Sequence, residues 1–119
     1  MRRPLLDDLP AVRSEVAREG VELEIADSLA PACGPEPETA GAVVPVLLGL
    51  RSLAVTVVIL AHVNKVSADA KAPARPFGSV FVQNLARSTI ECRRSDPIGE
   101  HDERSWTLTL YHRKANEGA

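Results

Sequence analysis

Aromatic side chains are scarce: Phe77, Phe81, Trp106 and Tyr111 make up 3% of the 119 residues. The core must therefore be aliphatic. Cysteine is almost absent too. Cys33 and Cys92 stand far apart with no CxxC and no Cys/His grouping, which excludes a disulfide framework and a zinc module. Neither sign of charge dominates, with 14 basic against 16 acidic residues and a net −2, so the chain is not a globally basic nucleic-acid binder. No long apolar run is unbroken. Ala42 to Val63 approaches the roughly 20 residues that a membrane span needs, but Pro45, Gly49, Arg51 and Ser52 interrupt it, so it reads as a buried helix followed by a buried strand. A signal peptide is not expected either, because MRRPLLDD places Asp7 and Asp8 ahead of any apolar stretch. The expectation is a cytoplasmic protein with reduced thiols.

What is present suits one soluble domain spanning residues 1–119, 45% hydrophobic and 25% charged. A chain of this size buries roughly two thirds of its unfolded surface. The charge is unevenly placed: residues 1–60 carry 5 basic and 9 acidic side chains (−4), residues 61–119 carry 9 and 7 (+2). A polyanion partner is thus expected at the second half.

Leu5, Leu6, Leu9, Val12 and Val16 recur at three- and four-residue steps, which predicts an amphipathic helix from Pro4 to Arg18, stopped by Gly20. VELEIAD (21–27) alternates and reads as a short strand, with Val21, Leu23 and Ile25 on one side of the pleat and Glu22 and Glu24 on the other. Ser28 to Pro37, with Gly34 and three prolines, reads as a loop. Residues 38–53 suit a helix with a kink near Pro45, and the β-branched run 55–63 suits a central strand covered on both faces. Strand, helix, strand in this order predicts a βαβ unit with a parallel pair and a right-handed crossover. Residues 64–76 read as a basic, mobile loop, 78–87 as a short helix, 88–94 as a strand, 95–104 as a turn and 105–113 as a last strand, the final two forming an antiparallel hairpin.

The chemistry-bearing residues sit at the strand ends. Ligands of open α/β sheets bind beyond the carboxyl ends of the strands. The first strand delivers Asp27-Ser28 there, and the second delivers His62-Val63-Asn64-Lys65. An acidic residue in that place is how nucleotide hydrolases hold magnesium, usually through a water. The blander alternatives are an N-capping Asp27 and a structural His62.

Four ordered segments, ELEIADSLAPACG (22–34), LRSLAVTVVILAHVNK (50–65), RPFGSVFVQNLARSTIE (75–91) and LYHRKANEG (110–118), resemble the second half of RecA-fold ATPases of the RepA-like hexameric helicase type, found in phage and plasmid replication modules. The resemblance covers about residues 5–118 and implies an α/β fold: a partial RecA-like (P-loop NTPase) three-layer sheet with parallel core strands and a C-terminal antiparallel hairpin. It also implies ATP bound between neighbouring subunits of a ring. Asp27 matches the Walker B aspartate of the Mg²⁺ shell, with Ser28 beside it on the nucleotide side. His62 matches the polar sensor of the γ-phosphate or attacking water, and Arg87 the arginine supplied to the adjacent subunit's nucleotide. Lys114 and Arg113 are secondary candidates in the basic turn near the same interface. The loop 64–76 falls where the family places its nucleic-acid contacts, which implies single-stranded DNA at Lys65, Lys71 and Arg75.

A guanidinium reaching in from a neighbour suits phosphoryl transfer, which needs positive charge on the transferred group more than covalent help. The competing reading pairs Arg87 with Glu91 one helical turn on. Arg93 and Arg94 read as a solvated face.

The chain departs from the family pattern in ways that bear on activity. No GxxxxGK[ST] phosphate loop occurs in it, and the carboxylate that polarises water is missing as well. Val82-Gln83 stands where an aromatic is expected, and Ala26 replaces a bulkier apolar residue. Such a chain corresponds to half of a motor: a truncated gene, a reading frame begun late at Met1, or a derived module without hydrolysis. ATP and Mg²⁺ are expected only together with the missing half. The alternative is a non-catalytic remnant that binds DNA or a protein. A Ser-His-Asp hydrolase using Ser28, His62 and Asp27 is disfavoured, since no GxSxG elbow exists and Ser28 adjoins the aspartate it would need at a distance.

Overall fold

The computed structural model describes residues 4–35, 39–62, 80–95 and 107–116. Its elements run α1 (Leu5–Glu19), β1 (Leu23–Asp27), α2 (Leu29–Cys33), α3 (Ala40–Arg51), β2 (Thr56–Leu60), α4 (Val80–Leu85), β3 (Ser88–Ser95) and β4 (Thr107–Ala115). This is a small α/β arrangement with a parallel two-stranded sheet, β1–β2, and an antiparallel hairpin, β3–β4. The expected loop at 64–76, with Lys65, Lys71 and Arg75, and the expected turn at 95–104 fall outside the described residues, apart from Ser95 at the end of β3.

The first helix ends as its sequence requires. Gly20 adopts φ 63°, ψ 41°, its N–H bonding to the Val16 carbonyl, and the Val21 N–H reaches the same carbonyl at 3.1 Å. A left-handed C-terminal residue costs glycine nothing. Asp7 and Asp8 lie in the first turn and Arg18 in the last, each favourable to the helix dipole. α3 starts at Thr39, whose hydroxyl accepts from the Ala42 N–H at 3.2 Å, and runs on through Pro45.

The core lies between α3 and its neighbours. Val43, Val46 and Leu50 form the buried stripe of α3, joined by Leu29, Cys33, Leu53 and Val82. Leu9 and Val12 of α1 and Ala26, Val57, Ile59 and Ala61 of the sheet region pack against them. α1 crosses α3 closely at Gly49, where an added Cβ would sit 2.9 Å from a Leu9 methyl.

Three expectations are corrected. The segment after β1 is not wholly a loop, because Leu29 and Cys33 are drawn into the core and Leu29–Cys33 coils into α2. Among the described residues the β2 strand is not covered on both faces. Its sheet there has two strands and helices on one side, so Val57 and Ile59 face the core while Val58 and Leu60 are 44% and 47% exposed. Likewise Ala26 faces the core, while Leu23 and Ile25 point outward, 51% and 59% exposed. The third concerns Arg93. Its side chain is 23% exposed and engaged with Glu91 rather than solvated, whereas Arg94 is exposed as expected.

Candidate functional site

The parallel pairing brings the two strand ends together. Asp27 stands opposite Leu60 in the β1–β2 register, and His62 follows two residues beyond on the neighbouring chain segment, so both lie at the carboxyl edge of the sheet. Both side chains are exposed. The apolar faces of β1 and β2 set the register, and the polar residues mark where pairing ends. Ser28 follows Asp27 through a cis peptide bond and occupies the N-cap position of α2, where its hydroxyl makes no capping bond.

Arg87 lies in the short turn between α4 and β3. Its carbonyl accepts from the Asn116 N–H at 2.8 Å, which fixes the turn against the end of β4, while its side chain is exposed. It does not pair with Glu91. Residues 88–91 belong to a strand rather than a helix, and the Glu91 carboxylate is taken by two other arginines.

The secondary candidates hold the hairpin. The Lys114 ammonium donates to the carbonyls of Gln83 at 2.6 Å and Asn84 at 3.2 Å, supplying the cation that the carbonyl end of α4 favours. Arg113 Nε donates to Glu91 Oε2 at 2.8 Å, and Arg93 Nε donates to Glu91 Oε1. The Glu91 side chain is 7% exposed. Burial alone would raise its pKa, but hydrogen bonds and charge from Arg93 and Arg113 outweigh this and hold the carboxyl below its usual range. The two guanidiniums also flank Tyr111, 5.6 Å and 4.5 Å from the ring centroid. Arg113 Nη2 and Thr89 Oγ1 are buried there without a hydrogen-bond partner among the described residues.

Sequence reasoning missed this cluster, and it missed the contact of 2.9 Å between Ser88 Oγ and His112 Nε2. The signal was the i, i+2 spacing of Glu91 with Arg93 and of Tyr111 with Arg113, legible only once the hairpin register is known. A shallow groove of about 480 Å³ between α1 and β1 is lined by Val12, Val16, Glu15, Glu19 and Glu24 among others, and neither Asp27 nor His62 belongs to its lining.

Among the described residues no group of three or more His, Cys, Asp or Glu could hold a metal ion. Asp27 stands at the sheet edge as an exposed carboxylate outside any such group. Among the described residues no helix is long and apolar enough to cross a membrane. Comparison with protein-family models, with curated proteins and with solved structures finds no match for this chain.

Proposed function

We propose that the chain is the second half of a RecA-like ATPase core of the RepA-like hexameric helicase type, carrying the metal, sensor and arginine side of a site whose phosphate-cradling loop lies in other sequence. The observation that supports this best is the parallel β1–α3–β2 unit with Asp27 and His62 at one carboxyl edge. There, Asp27 holds the Mg²⁺ of Mg-ATP through a water, and His62 meets the γ-phosphate side. Arg87, whose exposed side chain makes no bond to another described residue, reaches the nucleotide of an adjacent subunit in a ring. Lys65, Lys71 and Arg75 contact single-stranded DNA.

A second reading has its own support. The absence of a GxxxxGK[ST] motif, together with Lys114 engaged by the carbonyls of α4 and Arg113 by Glu91 of the hairpin, favours a non-hydrolysing module that binds DNA or a protein.

The test is to read the sequence in frame ahead of Met1 and to express the chain with it. A phosphate loop there, with Mg²⁺-dependent ATP turnover abolished by Asp27→Asn, supports the motor. No turnover and no such loop, with DNA binding retained, supports the module.

A further inference from the structure

The parallel sheet leaves four aliphatic side chains uncovered on one face: Leu23, Ile25, Val58 and Leu60, between 44% and 59% exposed. Parallel sheets are ordinarily covered on both faces. The hairpin has an uncovered face of similar width. Ile90, Leu108 and Leu110 are 61%, 47% and 60% exposed, and the register places all three on one side of β3–β4. We propose that these two faces are partners, the hairpin of one chain packing on the parallel sheet of a second copy, head to tail.

Charge selects this pairing over like on like. On the hairpin the cation that counts is Arg94, because Arg93 and Arg113 are held by Glu91 on the other face and Lys114 by the carbonyls of α4. Asp27 stands at one end of the aliphatic sheet patch, and Arg94 and His112 lie on the hairpin face beside its apolar trio. Sheet on sheet would set Asp27 against Asp27, and hairpin on hairpin Arg94 against Arg94, whereas sheet on hairpin sets one against the other. Two two-stranded layers stacked about 10 Å apart interdigitate as in a sandwich. The contact is small, so it is weak, with a dissociation constant on the order of micromolar or higher. Being heterologous, it leaves one face free at each end and grows with concentration. It needs no nucleotide, so it stands or falls separately from the ATPase reading.

Sedimentation velocity in reducing buffer tests it. Wild type should gain mass with concentration. Val58→Asp, with an intact hairpin face, and Leu110→Asp, with an intact sheet face, should each sediment as monomers. An equimolar mixture should give a 1:1 pair that grows no further. Circular dichroism establishes that each variant is folded; should either unfold, Val58→Thr and Leu110→Thr replace them, each weakening association several-fold. Cys92 lies on the hairpin face and Cys33 is buried. The Cys92 thiol should therefore react more slowly as wild type is concentrated, and at an unchanged rate in Val58→Asp. A monomeric wild type at all concentrations, a mixture that stays monomeric, or association that survives either substitution would overturn the proposal.

Discussion

Glu91 and Arg113, on opposite strands of the hairpin, meet at 2.8 Å, and the register shift between Thr89 and Ile90 leaves Arg113 as the one residue of that stretch of β4 with no partner directly opposite. With Arg93 on its other oxygen, the carboxylate is fully engaged and nearly buried. Glu91→Gln should lower stability by roughly 1–3 kcal/mol at pH 7, since two guanidiniums then face a neutral amide. The folded pKa of Glu91 is depressed. Its contribution is therefore complete above the unfolded value of about 4.3 and disappears as pH falls through the folded value. Urea titrations should show the gap between wild type and Glu91→Gln closing on acidification from pH 5 to pH 2. A gap that does not depend on pH would mean that packing, not charge, ties the hairpin.

Lys114 distinguishes a structural cation from a catalytic one. Its ammonium binds two carbonyls of the last turn of α4. Lys114→Met should cost the isolated chain about 1–2 kcal/mol in urea unfolding. An unchanged midpoint would release the residue for the nucleotide.

The sequence showed a buried helix at α3 but not which of its sides faces the core. Leu50 is 2% exposed and Leu48 is 48% exposed, two residues apart on one helix. Leu50→Ala should therefore cost roughly 2–5 kcal/mol and Leu48→Ala less than 1. Equal costs, read by thermal or urea unfolding, would contradict the packing of this helix against its neighbours.

The first half was readable because its signals are local: the three- and four-residue recurrence of leucines before Gly20, the alternation before Asp27, and the β-branched run before His62. Alternation tells that β1 has two faces but not which one meets the helices. The small side chain of Ala26 turns to the core, and the larger Leu23 and Ile25 turn away. The coverage of β2 was misjudged because a β-branched run does not reveal how many layers surround it. The Glu91 cluster was illegible for a different reason. Its members come from two strands, and their juxtaposition depends on a register that no local pattern announces.

For nucleic acid, the three cations of the 64–76 segment set the scale. Binding to single-stranded DNA should be weak, indifferent to sequence and steep in salt. Lys65→Ala with Lys71→Ala should flatten the slope of log affinity against log salt by about 1.4. A slope unchanged in filter binding would move the contact elsewhere on the chain.

Asp27 and Arg87 are proposed to serve different subunits of one composite site, and ATP turnover in mixed assemblies of the chain joined to its phosphate-loop half measures that directly. Asp27→Asn alone and Arg87→Ala alone should each reduce turnover by about a thousandfold or more. Mixed in one ring, the two variants should regain part of the activity, because some interfaces then pair an intact Asp27 with an intact Arg87 from the neighbour. Mixed rings that remain at background, while each variant still assembles and binds ATP, would contradict an arginine acting between subunits.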